Sequence, residues 1–135
     1  MDIQPKATGH EKRIKLLLDA VCKKLSFTAM LLADQQGFPV ACSGDLKSVG
    51  IAAIAPECIR MGQRAVRFGQ FSGIRCVTLM LEGGHIMIIK EINIQSQKFI
   101  VVIDTKTVPN VINSLFRVLS ERIDLILNSH KYYSH

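Results

Sequence analysis

Three arginines at helical spacing are the residues of this sequence best suited to binding chemistry. Arg60, Arg64 and Arg67 follow one another at steps of four and three, so they share one face of a helix that contains them. A guanidinium group binds carboxylates and phosphates through paired hydrogen bonds. Two interpretations compete: a solvated face on which Glu57 pairs with Arg60 or Arg64, and a surface for an acidic partner.

No catalytic constellation is recognisable in the sequence. There is no Ser, His and Asp set in suitable loops, no HExxH motif, and no pair of carboxylates in apolar surroundings. Gly83 and Gly84 are too few for a phosphate loop and indicate a hairpin turn. Asp34 and Asp104 stand at predicted strand ends, where turn or cap roles suffice. We expect no catalytic residue and no cofactor.

The four cysteines favour a packing role over a chemical one. They lie in apolar segments, without a CxxC pair and without a histidine at ligand spacing: Cys22, Cys42, Cys58 and Cys76. We therefore predict small core residues and no metal site, with metal binding or a reactive thiol as the alternative.

The formal net charge of +6 permits an anionic partner. The lysines are nevertheless spread along the chain, and we identify no basic run interleaved with aromatics, so we expect no specific nucleic-acid partner. No apolar run approaches the roughly 20 residues that a membrane span needs. Residues 1–15 contain no apolar stretch of the signal-peptide type, which predicts a cytoplasmic protein without a membrane span.

Hydrophobic periodicity predicts one α+β domain over residues 10–128, between flexible tails at 1–9 and 129–135. Strand-like runs that are apolar on both faces require helices on both sides of the sheet. We expect the first and last helices on one face and the middle helix on the other. The predicted order is helix 10–25, strands 27–33 and 38–42, helix 46–69, strands 74–81, 86–92 and 98–104, and helix 107–126.

The middle helix is apolar around most of its circumference, which predicts burial on two sides. The stripe assigned to the protein's own core is Ile51, Ile54, Ala55, Cys58, Met61, Ala65 and Phe68. The face assigned to a second copy of the chain is Val49, Ala52, Ala53, Pro56, Ile59, Gln63 and Val66. Because an interior proline removes a backbone hydrogen bond, we expect a kink or break after Ala55.

The strand predicted at 74–81 also favours a homodimer. Pro39 places one strand at a sheet edge, but this other edge carries only Arg75 as a charge and no proline. Natural proteins rarely leave such an edge open. Pairing it with a two-fold copy would complete the ladder and bring two middle helices together. The predicted interface on this strand is Arg75, Cys76, Val77, Thr78, Leu79 and Met80.

Four segments resemble the Roadblock/dynein light-chain family, in its branch of prokaryotic motility-type regulators of small Ras-like GTPases. They are MLLADQQGFPVA (30–41), RMGQRAV (60–66), VTLMLEGGHIMIIKEI (77–92) and KFIVVID (98–104). The resemblance spans roughly residues 11–127. It implies a profilin- and longin-like α+β fold with a five-stranded antiparallel sheet in order 2-1-5-4-3. It also implies a homodimer joined at the middle helix and third strand.

The function implied by the resemblance is regulation or scaffolding of a small Ras-like GTPase. Arg60, Arg64 and Arg67 would then bind the partner. Motility-type relatives accelerate hydrolysis by repositioning the GTPase's own groups, so we expect no enzyme. The alternative is a small-ligand sensor domain of the PAS, GAF or profilin-like type, which needs an internal pocket with convergent polar groups. Few polar residues, Thr28 and Thr78 among them, are predicted to be buried, which disfavours it.

Overall fold

The computed structural model describes residues 9–133, and over that range it has the predicted order of helices and strands. The elements are α1 (Gly9–Leu25), β1 (Ala29–Asp34), β2 (Pro39–Gly44), α2 (Ser48–Gly69), β3 (Val77–Leu81), β4 (His85–Ile94), β5 (Gln97–Thr105) and α3 (Ile112–Tyr133). Of the predicted tails, residues 1–8 and 134–135 lie outside the described residues. Gly9 is the first residue of α1, and the backbone of α3 continues through 129–133.

The five strands form one antiparallel sheet in the order β2-β1-β5-β4-β3, as the resemblance implies. β5 lies at the centre, paired with β1 on one side and with β4 on the other. Its residues from Ile100 to Thr105 are all buried, which explains why this run is apolar on both faces. β2, which begins at Pro39, and β3 are the two edge strands.

Each face of the sheet carries its own hydrophobic core. Successive side chains of a strand point to opposite faces. Met30 and Ile103 accordingly pack with α1 and α3, whereas Leu31 and Val102 pack with α2. Full burial of one such side chain stabilises the fold by about 1.5–3 kcal/mol. Alternate residues of β1 and β5 therefore hold both helical layers, and the predicted arrangement of two helices against one is confirmed.

The β1–β2 connection is the predicted hairpin, and Asp34 has the predicted turn role. The carboxylate Oδ1 of Asp34 accepts hydrogen bonds from the backbone N–H groups of Gln36, at 3.0 Å, and Phe38, at 2.9 Å. The backbone N–H of Gly37 donates to the Asp34 carbonyl at 3.1 Å. Three bonds to one residue fix the turn and, with it, the register of β2 on β1.

α2 is one continuous helix through Pro56, so a break after Ala55, one of the two predicted outcomes, is wrong. Pro56 is buried, and Ala52, Ala55 and Ile59 pack on the sheet on both sides of it along the helix. Because this packing fixes the helix before and after the proline, the loss of one backbone hydrogen bond does not interrupt it. α2 therefore positions its side chains as one helix over its full length from Ser48 to Gly69.

Candidate interaction surface

The buried and exposed faces of α2 differ in part from the sequence prediction: Ala55 lies in the core as predicted, but several other residues have exchanged faces. Ala52, Pro56 and Ile59, predicted to meet a second copy of the chain, are buried inside the subunit against the sheet. The predicted core residues Ile54, Met61 and Phe68 are exposed instead, by 44%, 63% and 75%. The physical reason is size, because the small alanines of the other face let α2 lie close to the strands.

The exposed apolar stripe of α2 has the spacing of a helix-pairing seam. We call it the α2 seam, and its members are Ile54, Cys58, Met61, Ala65 and Phe68. They follow at alternating steps of four and three, the repeat that keeps apolar side chains facing a second helix. Cys58 is half-buried and packs partly against the α2 core, while the others are exposed. A seam of this kind is suited to burial by another helix.

The arginine strip Arg60, Arg64 and Arg67 lies on the exposed side of α2, beside the seam. The guanidinium carbons of Arg64 and Arg67 lie 6.0 Å and 5.8 Å from the ring centroid of Phe68. Within the part of the chain that the structure describes, no ion pair joins Glu57 to these arginines. The structure therefore lacks the Glu57 pairing of the first interpretation, while the solvated face of that interpretation is present. The strip presents its charge to solvent.

β3 is the open edge strand predicted from the sequence, but it is shorter than the predicted strand 74–81. It begins at Val77, so Arg75 and Cys76 precede the strand. Val77 and Leu79 are half-buried on the α2 side. Thr78 and Met80 point the other way and are exposed, Met80 by 83%. The remaining predicted interface residues on α2 are at the surface to differing degrees: Val49, Ala53 and Gln63 are exposed, and Val66 is half-buried.

A close contact joins the C-terminal half of α2 to the segment before β3. A Cβ at Gly62 would collide with the side chain of Ile74 and would make a tight contact with that of Val77. Glycine at this position therefore lets the helix approach the sheet edge. Ala65 of the α2 seam and Val77 of β3 line the same surface depression, so the seam and the β3 edge adjoin.

A basic and aromatic segment was missed in the sequence. RAVRFGQFSGIR (64–75) interleaves three arginines with two phenylalanines, so the prediction that no basic run is interleaved with aromatics is wrong. Phe68 and Phe71 are both largely exposed. Residues 58–81 contain four arginines and neither Asp nor Glu, a charge bias that could have been counted from the sequence. This end of α2 is the most strongly cationic part of the candidate surface.

Burial raises the pKa of the Cys22, Cys42 and Cys58 thiols above the ordinary value. A raised pKa keeps these thiols protonated at neutral pH, and the protonated form is a poor nucleophile and metal ligand. Cys22 lies in the α1–α3 core, as expected of a small apolar residue. Among the described residues, no group of three or more metal-ligating side chains is assembled.

His85 and Asp104 form a pair that the sequence prediction missed. The Nδ1 atom of His85 lies 3.0 Å and 3.1 Å from the two carboxylate oxygens of Asp104, which is buried. The two residues are 19 positions apart and come together because Met87 lies opposite Asp104 in the β4–β5 register. In the described chain, no hydroxyl or thiol is hydrogen-bonded to His85, so the pair lacks the nucleophile of a catalytic triad. It ties the start of β4 to the end of β5.

None of the helices described here is both long enough and apolar enough to span a lipid bilayer.

The chain is similar to known proteins in its structure. No protein-family model and no curated protein matches the sequence. Among solved structures, Myxococcus xanthus MglB matches with a TM-score of 0.69 at 11% identity, over 95% of this chain and 96% of its own. The gliding protein MglB of Thermus thermophilus gives 0.70 at 15% identity, over 94% and 99%. A GAF domain/HD domain protein of Geobacter sulfurreducens gives 0.55 at 14% identity, over 96% and 100%.

Because the sequence identities are this low, the matches are evidence for the fold alone. The GAF-containing structure shares part of the architecture, so architecture alone does not separate a GTPase regulator from a ligand sensor. The distinction has to come from the surface of α2 and β3. The matches do confirm the Roadblock-like α+β fold of the MglB type, with its sheet order 2-1-5-4-3.

Proposed function

We propose that this chain is a homodimeric, non-catalytic regulator or scaffold of a small Ras-like GTPase and acts in the cytoplasm. The observation that carries the proposal is the arginine strip, Arg60, Arg64 and Arg67, exposed on α2 beside an apolar seam. Solved structures of the same fold are named as MglB, a gliding protein. The similarity of fold supports the assignment to GTPase regulators, and the exposed arginines support α2 as the binding site.

The dimer in this proposal forms through the α2 seam and the β3 edge. Two-fold pairing of β3 with its copy would extend the ladder across both subunits and satisfy the open backbone groups of the edge. The same operation brings two α2 seams together, so Met61 and Phe68 leave water. Of the interface residues predicted from sequence, those still at the surface keep this role: Val49, Ala53, Gln63, Val66, Arg75, Cys76, Val77, Thr78, Leu79 and Met80.

Dimerisation would also concentrate charge. Residues 58–81 of each subunit contribute four arginines and no acidic residue. Two such segments beside a two-fold axis create a positive field that accelerates encounter with an acidic protein surface. Arg64 and Arg67 lie near the Phe68 ring, which limits their rotamers and lowers the entropy lost on binding.

The test is a titration of a small Ras-like GTPase from the same cell against wild type and an Arg60→Glu, Arg64→Glu variant. We expect binding to the wild type that weakens with salt, and a loss of affinity in the variant by a factor of about ten or more. A matched variant, Lys47→Glu with Lys98→Glu, makes the same charge change away from the strip. Equal affinity for all three proteins would contradict the proposed site, and no binding to the wild type would contradict the function.

A further inference from the structure

The layer opposite α2 carries an apolar groove that the proposed function does not use. It runs between α1 and α3, and its deepest part has a volume of about 590 Å³. The apolar floor and walls of this part include Leu17, Val21, Leu115, Val118 and Leu119. A second depression, lined by Leu16, Leu125 and Ile126, continues it and shares Leu17 and Arg122 with it. We call the two together the α1–α3 groove.

The groove is open at the surface even though it is apolar. Leu16 and Leu125 are each 66% exposed, and Val111 and Val118 are also exposed. A contiguous apolar surface of this kind, rimmed by charge, marks an interaction site in soluble proteins. The sheet lies between this groove and α2, so an occupant here would not compete with the α2 seam.

The charges lining the groove all have the same sign. Lys24 and Arg122 line the deep part and Arg13 lines its continuation, while none of the described Asp or Glu residues lines either part. No carboxylate among the described residues is in salt-bridge distance of Lys24 or Arg122. Both cations can therefore bind carboxylates of an occupant that reaches the rim.

The groove walls decide the conformation of the occupant. Both walls are helices, whose interior N–H and C=O groups are already bonded within the helix. An extended peptide would find no strand edge here with which to share backbone hydrogen bonds. A helix satisfies its own backbone and can bury one apolar face among side chains. The length of α1, 17 residues or about 25 Å, sets the length of helix that could lie along it.

From the lining, the charges and the walls, we propose that the α1–α3 groove binds an amphipathic helix of another protein, whose apolar face is flanked by Asp or Glu. Its apolar residues would cover Leu16, Val118 and Leu125. Its carboxylates would meet Lys24 and Arg122. This second surface lets one subunit hold a helical partner while α2 remains available.

The test uses the full chain and two synthetic amphipathic peptides of about 18 residues, long enough to form a helix. Both carry the same leucine face, and the flanking positions are Glu in one peptide and Lys in the other. We expect the Glu peptide to bind, with a salt-dependent affinity and with NMR shifts in α1 and α3. The Lys peptide should bind at least about tenfold more weakly.

Two groove variants and a control complete the experiment. Lys24→Glu with Arg122→Glu should reverse the preference, so that the Lys peptide now binds more tightly. Val118→Asn, which removes an apolar contact without adding charge, should weaken both peptides, and the control Lys47→Glu with Lys98→Glu should leave both affinities unchanged. All substituted side chains are at the surface, and melting curves check the fold.

Four results would overturn the proposal. The first is that the wild type binds the two peptides equally, and the second is that the charge-reversed variant keeps the preference of the wild type. The third is that the NMR shifts are confined to α2. The fourth is that a groove variant changes the oligomeric mass but not the peptide affinity. Binding to phosphatidylserine vesicles that depends on Lys24 and Arg122, without peptide binding, would assign the groove to membranes instead.

Discussion

Gly37, in the turn between β1 and β2, lies against the backbone carbonyl of Ala52 in α2. A Cβ on Gly37 would stand 3.1 Å from that oxygen and 3.3 Å from the Cα of Ala53. Ala52 is four residues before Pro56, so its carbonyl is the one that the proline deprives of a helical N–H donor. The hairpin turn therefore lies against the position in α2 where one helical hydrogen bond is missing. Glycine is required there by both the close approach and a φ of +97°.

Gly37→Ala should destabilise the fold more than Gly84→Ala. Both glycines have positive φ, at +97° and +81°, so both substitutions place alanine in the left-handed region at a cost of about 1 kcal/mol. Gly84 has open space around a new Cβ, whereas Gly37 meets backbone atoms that cannot rotate away. We expect a further loss of about 1–2 kcal/mol at position 37. Urea unfolding measures both, and equal losses would contradict the contact with Ala52.

The element order, the first hairpin and the central strand were predictable because their signals are local, whereas the order of strands in the sheet came from the family resemblance. Asp34 and Gly37 mark the hairpin, and the run Ile100–Ile103 is apolar on both faces, as a central strand must be. The β4–β5 register was not predictable in this way. The pair His85–Asp104 depends on it, and no spacing in the sequence joins the two residues.

The faces of α2 were not predictable from hydrophobicity, since both sides of the helix are apolar. The sheet selects Ala52 and Ala55 because small residues let the helix axis come close, and it leaves Met61 and Phe68 outside. Hydropathy ranks the larger residues as better core candidates. Whether small size or high hydropathy selects the buried residues depends on the distance between helix and sheet. That distance is set only in the folded chain.

Ser43→Ala should raise the pKa of Asp19. A hydrogen bond from the Ser43 hydroxyl and then one from Lys15 hold the pKa of this carboxyl below its ordinary value. Because the pKa is lower in the folded chain, Asp19 stabilises the fold above its unfolded pKa, and that contribution is lost as the pH falls through the folded pKa. Asp19 is partly exposed, so the loss of stability at neutral pH should be at most about 0.5 kcal/mol.

An NMR titration of the Asp19 side-chain carboxyl carbon measures the shift in each variant. Lys15→Gln is the matched comparison: it removes two of the causes that lower the pKa, a hydrogen bond and a positive charge, and should also raise the pKa of Asp19. An unchanged pKa in Ser43→Ala would contradict the role of the hydroxyl. A larger effect of Lys15→Gln would show that the ion pair dominates.

Met61→Glu with Phe68→Glu should convert the proposed dimer to a monomer at micromolar concentration. Pairing of two α2 seams would place these new carboxylates in an apolar contact, where burying a charge is costly. Phe38→Glu with Val108→Glu introduces the same charge at exposed apolar residues outside the seam, and it should leave the mass unchanged. Light scattering reports the mass. A dimer in the seam variant, or a monomer in the wild type, would contradict the α2 seam as an interface.

Proline on β3 should break the proposed dimer, whereas proline on the other edge strand should not. Consecutive N–H groups of an antiparallel edge strand alternate between its neighbour and the open side. Of the neighbouring residues Thr78 and Leu79, one has its backbone N–H on the open side of β3. Proline at that position removes no hydrogen bond to β4, so this variant should stay folded. That variant should be monomeric by light scattering, with its circular dichroism unchanged. Val40→Pro on β2 is the control, because that edge already carries Pro39 and takes no part in the proposed pairing. A folded β3 variant that remains a dimer would mean that the subunits associate without extending the sheet, and the interface would then rest on α2 alone.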